Sequence, residues 1–210
     1  MRNVTVWIWL LFVAAPGWAV DCAALKFRGQ GYTACTVDVR HDDIRLFLRA
    51  PGAAPYGDFS ALNAALAQQN LTLSFAMNAG MYHPDRSPVG YYVEQGITQM
   101  RLLTRASGGN FGLLPNGVIC VTDQTIEVIE TLKFKARNLA CRFASQSGPM
   151  LVIDGALHPR FLKDSRSRYI RNGVGMRAGG RQAIFVMSNS FVTLHEFASF
   201  FKDHIGVAQA

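Results

Sequence analysis

Charged residues, and acids in particular, are scarce in this sequence. Asp and Glu number 14 against 21 Lys and Arg, and charged residues make up 17% of the 210 residues, whereas half of the chain is hydrophobic. Low-complexity tracts and internal repeats are also lacking. This composition excludes a disordered or repetitive chain and is typical of one globular domain with a sizeable core.

Long apolar runs are lacking beyond the N-terminus. Residues 4–15 form an apolar run that follows Arg2 and precedes the small residues of Gly17-Trp18-Ala19. This pattern predicts a signal peptide over residues 1–19, cleaved after Ala19. The run is shorter than the ~20 residues of a membrane-spanning helix, so an uncleaved anchor is disfavoured. We therefore expect an exported protein, periplasmic or secreted, whose mature domain covers residues 20–210 and has no membrane span.

Cysteine occurs only four times, and neither a CxxC spacing nor a pair of histidines accompanies it. A zinc site is therefore disfavoured, and we expect no metal ion and no cofactor. In an oxidising compartment the four cysteines are expected to form disulfides. We predict the pairs Cys22–Cys35 and Cys120–Cys141, each of which brackets one short segment, although four cysteines allow three connectivities.

Basic residues outnumber acids, and the net charge of the chain is +7. A basic balance indicates an anionic partner. Nucleic acid is a poor candidate for an exported protein, whereas an anionic or phosphate-bearing saccharide fits. The basic residues concentrate between positions 160 and 181, and this cluster is either part of a binding site or a solvated basic face. Its members are Arg160, Lys163, Arg166, Arg168, Arg171, Arg177 and Arg181.

The 19 glycines and 8 prolines indicate many strands and turns. We predict an α+β fold, a strand-rich mixed sheet with two packed helices. Asp58 caps a helix over residues 59–69, and Thr193 with Glu196 forms a capping box for a second helix. Strands are predicted at 71–77, 150–153, and in two hairpins; the hairpins join 36–40 to 44–48 and 174–176 to 183–187.

Five motifs in this chain occur in the order typical of one known family. They are Asn78-Ala79-Gly80-Met81-Tyr82, Ser87-Pro88-Val89-Gly90, Asn110-Phe111 with Pro115-Asn116-Gly117, Gln146-Ser147-Gly148-Pro149-Met150-Leu151, and Arg171-Asn172-Gly173-Val174-Gly175. Through them, residues 32–205 resemble the phosphodiester glycosidase family, and in particular its uncharacterised bacterial exported branch. The resemblance implies an exported hydrolase that cleaves a sugar-1-phosphodiester bond, with a phosphate-linked saccharide as its partner.

The family pattern continues beyond the last helix into a strand with an Asp-Gly motif, whereas this chain stops at residues 206–210. We therefore expect the final strand and its Asp-Gly motif to be missing. Two alternatives to the enzyme follow: a non-catalytic module that binds saccharide or cell envelope, and an inactive truncated product. The oligomeric state is left open.

Three loops, at 78–87, 145–148 and 165–175, collect the polar groups that could form a site. A phosphate leaves more readily than an alkoxide, so cationic donors matter more here than the paired carboxylates of ordinary glycosidases. The predicted catalytic residues are Asn78, His83, Asp85 and Arg171, and the predicted substrate-binding residues are Gly80, Tyr82, Ser147, Gly148, Asn172 and Gly173.

The roles of these residues follow from their chemistry. Arg171 can hold two phosphate oxygens, unless it forms a structural ion pair. Asn78 can orient the attacking water or a sugar hydroxyl, unless it only caps the backbone. His83 beside Asp85 can act as an acid or a phosphate donor, unless it is an ordinary loop residue. Ser147 and Gly148 can present a hydroxyl and a backbone N–H to an oxyanion, whereas a nucleophilic serine is disfavoured because no partnering base is indicated.

Tyr82 can stack on a sugar ring or serve as a core or rim aromatic residue. Glu94 and Asp154 are interpreted as turn residues.

Overall fold

The computed structural model describes residues 20–177 and 179–210. The predicted signal peptide, residues 1–19, lies outside the described residues. Within them the chain forms eleven strands, three α-helices and one π-helical turn. The strands are β1 (Asp21–Phe27), β2 (Gln30–Asp38), β3 (Tyr92–Glu94), β4 (Ile97–Met100), β5 (Gly117–Val121), β6 (Ile126–Glu130), β7 (Phe143–Ser147), β8 (Val152–Ile153), β9 (Ala156–Leu157), β10 (Asn172–Met176) and β11 (Gln182–Ser188). The helices are α1 (Phe59–Ala67), α2 (Thr131–Arg137) and α3 (Leu194–Ser199), which continues into the π-helical turn Phe200–Ile205.

The first sheet has the strand order β1-β2-β11-β10 and is antiparallel throughout. Strands β1 and β2 form a hairpin whose turn, Arg28-Gly29, has positive φ at both residues, as a two-residue hairpin turn requires. Its register places Cys22 opposite Cys35, and the two form a disulfide. The hairpin predicted between 36–40 and 44–48 is therefore wrong, because β2 pairs with β1 and β11 instead, and residues 44–48 adopt no regular structure.

The second sheet has the order β4-β3-β7-β5-β6 and is also antiparallel. A disulfide joins Cys120 of β5 to Cys141, just before β7, so both predicted disulfides are confirmed. Helix α2 follows β6 directly and was not predicted from the sequence. Glu130 accepts a hydrogen bond from the backbone of Lys133 at its start, and Asn138 ends it in the left-handed conformation.

The helix α3 and the π-helical turn that follows it pack their aromatic residues against β10 and β2. Phe197, Phe200 and Phe201 are fully buried, and the Phe200 ring lies 3.9 Å from the ring of Tyr32. Burial of each such side chain contributes about 1.5–3 kcal/mol. The helix and the π-helical turn lie close to β10. A β-carbon at Gly173 would lie 3.1 Å from the Phe197 ring, and one at Gly175 would lie 2.8 Å from the Phe201 ring. The capping box of Thr193 and Glu196, predicted from the sequence, opens this helix.

A separate cluster of buried residues joins the two larger sheets. It contains Val121, Ile126, Phe143, Met176 and Ala183, which come from β5, β6, β7, β10 and β11. The two larger sheets therefore pack against each other through this cluster.

Two predicted strands differ from the structure. Residues 71–77 form no strand, although they line a cavity, and the predicted strand 150–153 is reduced to the two residues of β8. The Asp154-Gly155 turn between β8 and β9 is confirmed, with positive φ at both residues. The helix capped by Asp58 and the strand pair closed by Gly179-Gly180 are also confirmed.

The α+β, strand-rich fold class is confirmed, and the structure corrects two of its details. The described residues form three helices where two were predicted, and the strands divide into three antiparallel sheets of four, five and two strands in place of one mixed sheet. None of the helices among the described residues is long and apolar enough to cross a membrane.

Candidate functional site

A cavity of about 510 Å³ opens where β7 ends and β10 begins, facing residues 77–82. The three polar loops predicted from the sequence converge on it. Eight of the ten predicted site residues line this cavity: Asn78, Gly80, Tyr82, Ser147, Gly148, Arg171, Asn172 and Gly173.

Gln146, at the end of β7, supports one wall of the cavity through hydrogen bonds of its side chain. Its side chain is buried, with 1% of its surface exposed. Its carbonyl oxygen accepts hydrogen bonds from the backbone N–H groups of Tyr91 and Leu103, both at 3.1 Å. Its amide nitrogen donates to the carbonyl of Leu103 and to the hydroxyl of Thr131. The wall is thus fixed by a buried amide that connects four segments of the chain.

Ser147 and Gly148 follow directly and form the surface of that wall. A β-carbon at position 148 would lie 2.6 Å from Cβ of Asn116, so only glycine permits this approach. Among the described residues that line the cavity there is no His, Asp or Glu side chain. Ser147 therefore has no base beside it, and the arrangement suits a hydroxyl that binds substrate better than a nucleophile.

The opposite wall consists of residues 77–82, which have no regular structure over most of their length. The side chain of Asn172 donates a hydrogen bond to the backbone carbonyl of Asn78 at 2.8 Å and so connects this wall to β10. Gly80 lies against β7, where a β-carbon would approach the hydroxyl oxygen of Ser145 to 2.7 Å and the carbonyl oxygen of Gln146 to 3.1 Å. The side-chain amide of Asn172 and the backbone of residues 78–80 are therefore held at the cavity by short contacts.

Arg171 is the one Lys or Arg among the described residues that line the cavity. Its guanidinium donates to the carbonyl oxygens of Val192, at 3.0 Å, and Ser167, at 3.2 Å. Within residues 20–177 and 179–210 it forms no ion pair, which removes the alternative of a structural salt bridge within this part of the chain. Burial lowers the pKa of this guanidinium. The cation is held in place by neutral acceptors, and its charge is left to attract an anion.

His83 and Asp85 lie at the exposed tip of the loop and do not line the cavity. The loop is closed by backbone hydrogen bonds from His83 to Ser87 and from Arg86 to His83. Asp85 accepts from the backbone and the hydroxyl of Ser87, and these hydrogen bonds lower the pKa of its carboxyl group. The structure thus places both residues away from Arg171's cavity, and their catalytic role stays a prediction.

Tyr82 is 45% exposed, lines the cavity, and carries the Arg86 guanidinium 4.8 Å from its ring centre.

The two acids interpreted as turn residues have structural partners. Asp154 has positive φ and binds the side chains of Lys133 and Gln209. Glu94 accepts hydrogen bonds from the backbone of Leu48 and the hydroxyl of Tyr92. Over the described part of the chain, no group of three or more His, Cys, Asp or Glu side chains could hold a metal ion.

A second cavity of about 500 Å³ adjoins the first and shares the wall formed by residues 77–82. It is lined largely by apolar side chains from α1 and residues 71–77, including Leu62, Leu66 and Phe75. The first cavity contains Arg171, and the second contains Arg45, which pairs with Asp43, and Arg86, which lies over the ring of Tyr82.

Sequence reasoning missed the supporting role of Gln146 and Asn116, and it did not select Asn110, which also lines the cavity. All three belong to the motifs that carry the family resemblance, and this membership was the available signal. Their burial and contacts could not be derived from spacing alone.

Comparison with known proteins agrees with the fold and with the motifs. The sequence model of the phosphodiester glycosidase family matches residues 72–210. The chain is 31% identical over 204 residues to the uncharacterized protein YigE of Escherichia coli strain K12, covering 96% of this chain and 79% of that protein.

Among solved structures, the chain resembles the catalytic domain of zebrafish N-acetylglucosamine-1-phosphodiester alpha-N-acetylglucosaminidase, auto-inhibited by its pro-peptide. The TM-score is 0.53 at 12% identity, over 90% of this chain and 67% of the zebrafish chain. At this identity the likeness concerns the fold alone, while the family match spans the cavity residues from Asn78 to Gly173. The chain belongs to the phosphodiester glycosidase family.

Proposed function

We propose that this protein is an exported hydrolase that cleaves the sugar-1-phosphodiester bond of an anionic saccharide or envelope glycan. The observation that carries the proposal is Arg171, which lines the cavity and whose guanidinium has neutral hydrogen-bond partners. The linkage named for the zebrafish structural relative is an N-acetylglucosamine-1-phosphodiester, which supports the same bond as the target. The two disulfides and the apolar N-terminal run support export.

In the proposed reaction, water attacks the anomeric carbon of the sugar. The bond between that carbon and the phosphate oxygen breaks, and its electron pair leaves with the phosphate. The products are the free sugar and a phosphomonoester, and the proton of the water passes to solvent. Arg171 stabilises the charge that develops on the phosphate, since its fork can bind two oxygens. In this proposal the side-chain amide of Asn78 orients the water or a sugar hydroxyl, and Asn172 supports it by donating to the backbone carbonyl of Asn78.

None of the described cavity residues carries an Asp, Glu or His side chain, so in the proposed reaction the water loses its proton to solvent.

The test uses the full chain and a soluble N-acetylglucosamine-1-phosphodiester in ¹⁸O-labelled water. We expect release of free sugar that carries the ¹⁸O, because attack occurs at carbon. Arg171→Ala should reduce kcat/KM about 100-fold, as expected for the loss of a charge-assisted hydrogen bond of about 2–3 kcal/mol. The matched control is Arg166→Ala, an exposed arginine on the same segment that does not line the cavity.

A label found in the phosphate would show attack at phosphorus and would refute the proposed reaction. Equal turnover by wild type and Arg171→Ala would refute the role of that residue. Arg171→Lys keeps the charge without the fork, so it should retain intermediate activity, and thermal unfolding of all variants shows whether the fold survives.

A second candidate is a binding module without catalysis, which is favoured by the lack of an Asp, Glu or His side chain among the described cavity residues. It predicts that the chain binds a non-hydrolysable phosphonate analogue in an Arg171-dependent manner and forms no product over long incubation. Detectable turnover by the wild type would exclude it.

A further inference from the structure

A surface beside the cavity exposes four large apolar side chains. Leu162, Tyr169, Ile170 and Phe191 are 66%, 58%, 48% and 63% exposed. Together with the cations Arg160, Lys163 and Arg166 they form what we call the basic-apolar patch. None of these side chains takes part in the buried clusters of the core.

Hydrogen bonds connect the two chain segments that form most of this patch. Tyr169 pairs with Val192 through two backbone bonds of 3.1 and 2.9 Å, which places Phe191 next to Tyr169 and Ile170. The guanidinium of Arg168 donates to the carbonyl of Phe191. Leu162 lies at the start of the same connection, directly after Phe161, whose ring stacks on buried His158. The pairing thus fixes the backbone at Tyr169, Ile170 and Phe191, and Leu162 precedes them on the same connection.

The charges of this segment are unbalanced. Residues 160–171 contain five Lys or Arg and one acid, Asp164. Arg168 pairs with Glu196 at 2.9 Å, and Arg171 belongs to the cavity. In the portion of the chain that the structure describes, Arg160, Lys163 and Arg166 take part in no ion pair. A solvated face would explain the cations, but it would not explain four exposed apolar neighbours.

We propose that the basic-apolar patch docks this protein peripherally on an anionic lipid bilayer. Apolar side chains inserted among the headgroups, flanked by unpaired cations, are the features that bind proteins to such a surface. A bilayer also accepts irregularly spaced side chains, whereas a protein partner needs a complementary shape. Ile170 lines the cavity next to Arg171, so a docked protein would hold the cavity mouth close to the headgroups.

The experiment places a polarity-sensitive dye on the full chain at Leu162→Cys and, as a matched control, at Ile97→Cys. Both positions are about equally exposed, at 66% and 67%, and both native disulfides leave the new thiol free for labelling. With vesicles of phosphatidylglycerol and phosphatidylcholine we expect a blue shift of the dye at position 162 and none at position 97. The dye reports its own site, so binding through the apolar N-terminal run would not produce this difference.

The charge contribution is tested in the labelled Leu162→Cys protein by adding Lys163→Gln and Arg166→Gln. Each cation near an anionic surface changes binding about five-fold, so the pair should weaken vesicle affinity about 25-fold at low salt. Phosphatidylcholine vesicles alone should give little shift. The proposal is overturned if the dye at position 162 does not respond to anionic vesicles, or if both positions or both vesicle types respond equally. A response to polyglutamate in place of vesicles would assign the patch to an acidic polypeptide and would also overturn it.

Discussion

Replacement of Gln146 by leucine is expected to destabilise the protein strongly, because it removes a buried amide that no neighbour can replace. Leucine has a similar volume, so the change leaves no large cavity. It does leave the backbone N–H of Tyr91, the N–H of Leu103 and the carbonyl of Leu103 without the side-chain partner they have now. These groups are partly buried, and each lost partner costs about 1 kcal/mol. The sum is about 3 kcal/mol.

A loss of this size is a large part of the 5–15 kcal/mol that is typical of domain stability. Urea unfolding of the disulfide-intact chain measures it directly, and with a slope of about 2 kcal/mol per molar the midpoint should fall by about 1.5 M. Gln124→Leu is the matched control, since Gln124 is exposed and its side chain makes no hydrogen bond within the described residues. It should change the midpoint by no more than about 0.25 M.

Because Gln146 immediately precedes Ser147 and Gly148, the same replacement should lower the activity of the protein that remains folded. A shift of the midpoint similar to that of Gln124→Leu would show that the buried network contributes little, and would refute this reasoning. Unchanged turnover by the folded variant would show that the hydrogen bonds of Gln146 do not affect the cavity wall at Ser147 and Gly148.

Two further predictions concern other parts of the structure. Gly80→Ala should lower both stability and turnover, because its β-carbon would lie 2.7 Å from the hydroxyl oxygen of Ser145 on the adjacent strand. Gly108→Ala is the control and should change neither, because no atom lies within 4 Å of its β-carbon. Equal effects of the two replacements in thermal unfolding and turnover would contradict the close packing at Gly80. Burial lowers the pKa of His158, so the folded state holds its imidazole neutral while the unfolded chain takes up a proton below about pH 6.5. The contribution of neutral His158 to the free energy of unfolding is therefore fully present above that pH and decreases as the pH falls. His158→Gln should show a smaller loss of unfolding free energy between pH 7.5 and 5 than wild type, and an identical loss in urea titrations would exclude the histidine as its source.

The sequence predicted well those features of the fold that depend on nearby residues in the chain. The caps at Asp58 and Thr193 identified α1 and α3 because the capping side chain and its backbone partner lie within three residues. The turn at Asp154-Gly155 was predicted for the same reason, and both disulfide pairs were predicted because each brackets one short segment of the chain. Short-range chemistry sets these features, so little knowledge of the rest of the chain is needed.

Features that depend on distant partners were predicted poorly. Residues 71–77 alternate as a strand does, yet they find no strand to pair with and line a cavity instead. Helix α2 has only seven residues and buries two of them, too few for a helical period to be detected. Convergence of the loops at Asn78, Ser147 and Arg171 followed from the motifs, whereas the lack of an ion pair at Arg171 required the structure.

The close approach of α3 to β10 divides the cavity into a wall that resists change and a wall that can vary. Any side chain larger than hydrogen at Gly173 or Gly175 would push against the rings of Phe197 or Phe201, so β10 can be altered only together with the helix. Among residues 77–82 a comparable constraint applies at Gly80, and this segment is connected to β10 by the bond between Asn172 and the carbonyl of Asn78. Evolution can therefore change what the cavity accepts by varying the remaining residues of this segment, while the side that holds the cation keeps its geometry.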